Sequence, residues 1–158
     1  MKNIITFLII AAAVILAFHL DRTPAIEATT DVDCSTYANK VFCLTNDARA
    51  RAGKNSLSYS YELEKVSMAK SKDMCKRNYF AHDYNGDKWT RFIKQSGINY
   101  SRAGENLAKG YQTSSEAVQA LINSPTHYEN ILGDYTHIGV YTESCGGINY
   151  TTQTFAKL

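Results

Sequence analysis

The chain has 158 residues with 17 basic against 15 acidic side chains, a formal net charge of +2, 44% hydrophobic residues and 20% charged ones. That balance belongs to one folded domain and excludes a disordered chain. The basic residues are scattered rather than gathered in a stripe, which sets nucleic acid aside as a partner.

Residues 1–28 read as a targeting segment. Lys2 precedes an apolar run from Ile4 to Phe18, and Ile26-Glu27-Ala28 supplies small or aliphatic residues where a signal peptidase would cut. The competing reading is an uncleaved membrane anchor through residues 4–20, which as a helix would rise about 25 Å, a little short of the bilayer core. His19 belongs to this segment, and no cysteine follows it closely enough for lipid modification. Residues 29–33 form a polar linker, and the folded domain spans 34–158. Four cysteines, Cys34, Cys43, Cys75 and Cys145, behind an export segment imply two disulfides rather than a metal knuckle. Spacing alone leaves all three connectivities open.

Along the domain, Ala38, Val41, Phe42, Thr45, Ala48 and Ala52 recur at helical spacing, and Gly53 stops that helix. Leu57-Ser58-Tyr59 is a short extended piece. Ser60 caps a second helix carrying Leu63, Val66, Ala69 and Met74 and ending near Arg77. Tyr79-Phe80-Ala81-His82 leaves it as an aromatic-flanked turn. Asn85-Gly86-Asp87 is a turn and cap before a short third helix with Trp89, Phe92 and Ile93, closed by Gly97.

The next stretch, Gly104-Glu105-Asn106-Leu107-Ala108-Lys109-Gly110, places a carboxylate between two glycines in a segment too apolar for a plain surface loop. Thr113-Ser114-Ser115-Glu116 is a capping box opening a fourth helix through Ala117, Val118, Leu121 and Ile122. Ser124-Pro125 restarts a helical turn that puts His127 and Ile131 on one face. Residues 136–142 and 148–155, rich in Thr, Tyr, Ile and Val, flank Ser144-Cys145-Gly146-Gly147 and read as a hairpin. Helices first and hairpin last argue an α+β sandwich rather than a parallel sheet.

His82, Glu105 and His127 form the one constellation able to hold a metal or move a proton, and their spacing matches no short metal motif. The wording around them is specific. Asn46-Asp47-Ala48-Arg49-Ala50, Phe80-Ala81-His82, the Gly104–Gly110 stretch, Ser124-Pro125-Thr126-His127-Tyr128-Glu129-Asn130-Ile131-Leu132 and Thr136-His137-Ile138-Gly139-Val140 occur in that order. Together they resemble the CAP superfamily of cysteine-rich secretory proteins, antigen 5 and pathogenesis-related class 1 proteins, also called the SCP domain, in its short bacterial-type form.

The resemblance implies an α-β-α sandwich whose cleft receives two histidines and two acids. Here these would be His82, His127 and Glu105. The second acid's place falls on Ser124, and Glu129 lies two residues past His127. It also implies disulfides Cys34–Cys43 and Cys75–Cys145, the latter because plant members bridge the end of the second helix to a strand.

Two neutral imidazoles and a carboxylate suit zinc or another divalent cation, with binding that fades in mild acid. The plainer reading of the trio is a hydrogen-bonded polar cluster. His137 reads as a partly exposed strand residue, and the tyrosines as core and sheet surface. Asn99 and Asn149 open glycosylation sequons that matter only in a eukaryote. The expected function is a secreted or surface-anchored, non-catalytic module that binds a protein, a lipid or a cell-surface polymer. The alternatives are a zinc-dependent hydrolase of peptides or cell-wall polymers, and a lipid or sterol carrier.

Overall fold

The computed structural model describes residues 32–158. The expectations for the targeting segment and for linker residues 29–31 therefore lie outside the described residues. Helix α1 (Tyr37–Arg51) starts where the Thr36 side chain accepts the Asn39 N–H, and its end is followed by Gly53 at φ +68°. Asn46 then gives and takes a hydrogen bond with the backbone of Leu57, at 3.0 and 2.9 Å. This holds the entry to the two-residue strand β1 (Ser58–Tyr59), which backbone bonds from Ser58 and Ser60 to the carbonyls of Thr136 and Ile138 complete. Helix α2 (Tyr61–Arg77) is capped by Ser60 as its sequence predicts.

A four-stranded sheet of order β1-β3-β4-β2, with β2 at Arg102–Lys109, β3 at His137–Cys145 and β4 at Ile148–Lys157, lies between two helical layers. Strands β3 and β4 form the expected hairpin, turned by Gly146 and Gly147, both at positive φ. The Gly104–Gly110 stretch, to which the sequence assigned no element, is largely strand β2, antiparallel to β4 at the sheet's edge.

Helices α1, α4 (Ser114–Asn123) and α5 (Pro125–Ile131) cover one face, burying Val41, Phe42, Leu121, Ile131, Val140 and Phe155. The capping box predicted at Thr113 and Glu116 opens α4. Helix α2 covers the other face with α3 (Thr90–Gln95) beside it. Its contact is partly polar: Ser67 donates to the Gly139 carbonyl and lies 2.8 Å from Thr154, and Ser71 donates to Thr152. Lys70 is buried too, whereas Ala69, expected inward, is exposed, as is Ala52 just past the end of α1. A Cβ on Gly139 would run into the α2 backbone at Leu63 and Glu64, so helix and sheet touch directly there.

One local expectation is corrected. Asp87 does not cap α3. It pairs in a bridge with Tyr84, while Asp83 accepts the Trp89 N–H ahead of the helix. Both implied disulfides are present, Cys34–Cys43 beside α1 and Cys75–Cys145 between α2 and β3. Among the described residues no helix is long and apolar enough to cross a membrane.

Candidate functional site

The site is organised by the pleat of β2, whose successive side chains point to opposite faces. Leu107 packs on the α2 side and Ala108 on the α1 side. By the same alternation Glu105 faces the α2 layer and Asn106 the other, and their partners agree. Glu105 meets the loop after α2, with its Oε1 2.7 Å from His82 Nδ1. A carboxylate only accepts, so Nδ1–H donates.

Asn106, wholly buried, donates to the His127 carbonyl at 3.0 Å and to Gln153 Oε1 at 3.1 Å. Its own oxygen accepts from Asn130, which also donates to the Glu105 carbonyl. Gln153 continues the chain to Thr45 on α1. Two adjacent residues of one strand thus tether the two histidine-bearing segments. Gly104 leaves room for this arrangement, since a Cβ there would overlap the Tyr135 hydroxyl and approach Asn130 Oδ1 at 3.1 Å.

His127 sits on α5, whose C-terminal carbonyls are held from α1. Arg49, 3% exposed, donates to Ile131 and Gly133 as well as to Asn55. A cation at a helix C-terminus also suits the helix dipole. His127 Nδ1 lies 2.7 Å from Ser124 Oγ. Burial lowers the His127 pKa below its usual value, and the charge of nearby His82 lowers it further. The Glu105 carboxyl moves the other way. Burial raises it, opposed by the His82 hydrogen bond and the charge of Lys70.

His82 is 48% exposed at its side chain and the Glu105 side chain 2%, so solvent reaches the pair from the histidine side. A groove of about 260 Å³ at the other histidine is lined by Phe80, Leu107, Lys109, Leu121, Ser124 and His127.

The structure therefore brings His82 to Glu105, and Ser124 to His127. Glu129 is exposed on α5, and His137 is the half-buried first residue of β3, next to Thr136 rather than to either pair. Among the described residues no group of three or more His, Cys, Asp or Glu side chains is arranged to hold a metal. Asn106, Asn130, Gln153 and Lys70 escaped the sequence reading. Asn106 beside Glu105 and Asn130 within the Ser124–Leu132 wording were the signals available for any of them.

The sequence model of the cysteine-rich secretory protein family, CAP, matches residues 42–155. An uncharacterized Bacillus subtilis protein, YkwD, is 43% identical over 127 residues, which cover 78% of this chain and 48% of that protein. A second Bacillus subtilis protein, the uncharacterized membrane protein YlbC, is 32% identical over 126 residues, 78% of this chain and 35% of its own. The chain thus spans half or less of the length of these relatives.

Among solved structures, an extracellular SCP-domain protein from Bacillus anthracis superposes with a TM-score of 0.72 at 28% identity, over 77% of this chain and 40% of that one. An outer surface protein of Borrelia burgdorferi also superposes at 0.72, with 23% identity, over 80% of this chain and 96% of its own. The chain belongs to the CAP family of cysteine-rich secretory proteins.

Proposed function

We propose that this chain is an exported, non-catalytic binding module whose His82 and His127 together take one divalent cation of the zinc type. The observation that carries the reading is that each imidazole already has its Nδ1 engaged by the protein, leaving Nε2 as the ligating atom of both. The donor chemistry fits zinc, which accepts neutral imidazoles, and two protein donors leave positions for water or a group of a partner. Glu105 would then act from behind. A carboxylate on the Nδ1–H of a ligating histidine fixes its tautomer and raises its basicity. Bound there, the cation supplies a Lewis-acidic anchor.

Hydrolysis needs a free base beside the attacked water. Glu105 is taken up by His82, and a serine hydroxyl occupies the place beside His127. The groove of about 260 Å³ is small for a sterol or lipid, since drug-sized ligands fill roughly 300 to 1,000 Å³. It suits a side chain or the end of a protein or cell-surface polymer. The apolar stretch at residues 4–20 and the extracellular SCP-domain neighbour support export.

The reading is tested by metal analysis and turnover on protein purified without added metal or a histidine tag. About one equivalent of zinc should be retained and then lost in the His82→Ala, His127→Ala double variant. No zinc-dependent cleavage of peptide, ester or peptidoglycan substrates should appear. Multiple-turnover cleavage that vanishes in a folded Glu105→Gln variant would contradict it.

A further inference from the structure

The least explained group near the site is Lys70, on the third turn of α2 and 1% exposed. A buried lysine is rare unless its donors are satisfied, and an ammonium has three. Here Nζ donates to Tyr79 Oη at 3.2 Å, to the Ala81 carbonyl at 2.7 Å and to the His82 carbonyl at 2.5 Å. The rings of Tyr79 and Phe92 flank it, with centroids 4.9 and 5.8 Å away. Tyr79 in turn donates to Asp73 Oδ2 at 2.6 Å, which also receives Arg91.

We infer that Lys70 is a positioning residue for the metal-binding cleft, holding the backbone of Ala81 and His82 so that the His82 ring is presented to Glu105. The inference rests on the metal reading above and adds what places one of its two ligands. The steric logic is direct. Phe80, Ala81, His82 and Asp83 are all exposed, so packing does little to hold this turn. Two consecutive carbonyls converging on one buried cation fix the peptide planes on either side of the His82 Cα and, through them, the direction of its Cα–Cβ bond. A half-exposed ring would otherwise prefer water to a single acceptor. Lys70 reaches the Glu105 carboxylate by charge alone, and its geometric hold on His82 runs through the loop, because its hydrogen bonds go to Tyr79, Ala81 and His82.

The test combines ring-nitrogen NMR of the histidines with zinc titration. In Lys70→Met, which keeps the length of the side chain and removes the donors, the hydrogen-bonded Nδ1–H signature of His82 should disappear while that of His127 stays. The zinc dissociation constant should rise ten- to a hundredfold, the range seen when groups orienting a metal ligand are removed. Tyr79→Phe, which leaves both carbonyl bonds, should change it less than threefold. If Lys70→Met does not fold, Lys70→Gln and the parent serve instead. The parent should show hydrogen-bond couplings from Lys70 Nζ to the Ala81 and His82 carbonyl carbons, and Lys70→Gln should weaken the His82 signature. An unchanged His82 signature in a folded Lys70 variant, or absent couplings in the parent, overturns the inference. A parent that binds no zinc, yet loses the His82 signature in Lys70→Met, leaves the positioning role standing and removes the metal reading.

Discussion

The two histidines of the cleft are held by opposite means. His82 is a half-exposed residue on a loop, fixed from below by a buried carboxylate and a buried ammonium. His127 belongs to a short helix and, among the described residues, has only the Ser124 hydroxyl on its ring, while its backbone carbonyl is fastened by Asn106. One is oriented by charge and the other by neutral hydrogen bonds. A charge-assisted bond is roughly twice as strong as a neutral one, so the two sides should answer differently to substitution.

The largest effects fall on the supports of each side. Helix α2, from which the His82 loop departs, is bridged to β3 by Cys75–Cys145 across a sequence separation of 70. In the chain-entropy model that bridge contributes about 4 kcal/mol, against about 3 for Cys34–Cys43. Replacing Cys75 and Cys145 by Ala should lower unfolding stability by the larger amount in urea titrations. A loss no greater than that from removing the short bridge would contradict the assignment. On the other side Arg49→Met should cost roughly 2 to 4 kcal/mol, because it leaves the carbonyls of Asn55, Ile131 and Gly133 without their donor.

The ring partners separate the two histidines more sharply. Glu105→Gln keeps an acceptor for His82 but removes its charge, and should weaken zinc binding about ten- to a hundredfold. Ser124→Ala should weaken it less than tenfold, the worth of one neutral hydrogen bond of about 1 kcal/mol. Titrations of the two variants at pH 7.5 check the order. A larger loss from Ser124→Ala would break the contrast.

A smaller effect appears in the pH dependence of stability. Burial lowers the pKa values of His127 and His137 below 6.5, so the fold favours their neutral forms. Their contribution is complete above pH 6.5 and is lost as the pH falls from there through the folded values. Glu105 has the opposite sign. Its raised pKa favours the protonated form in the fold, which adds stability as the pH falls toward 4.5. Between pH 7 and pH 4.5 the melting temperature should therefore drop more steeply in Glu105→Gln than in the parent. A shallower drop would contradict the assigned signs.

Much of the fold was legible because its signals are local. Ser60, the Thr113 and Glu116 box and the Gly146-Gly147 turn each act within a few residues. Strand β2 was not legible, because Arg102–Lys109 contains no β-branched residue. Its burial on both faces from Gly104 to Ala108 removes the alternation that marks a half-buried strand. Its pairing with β4 makes it a strand, and that is non-local. Lys70 carried no signal in the sequence for the same reason, since the carbonyls that satisfy it lie on a loop 11 and 12 residues further on. His82, Glu105 and His127 were legible only through the family wording around them. Asp87 was misread as a cap because an Asn-Gly-Asp turn and a helix start look alike until the partner of Trp89 N–H is known.

His82 and His127 are proposed to hold one cation jointly. Isothermal titration of zinc into the metal-free protein at pH 7.5, with His82→Ala, His127→Ala and the double variant alongside, tests it most directly. One site is expected in the parent, with affinity reduced at least tenfold in either single variant and abolished in the double. Zinc binding by folded His127→Ala as tight as that of the parent would show that the two imidazoles do not form a site.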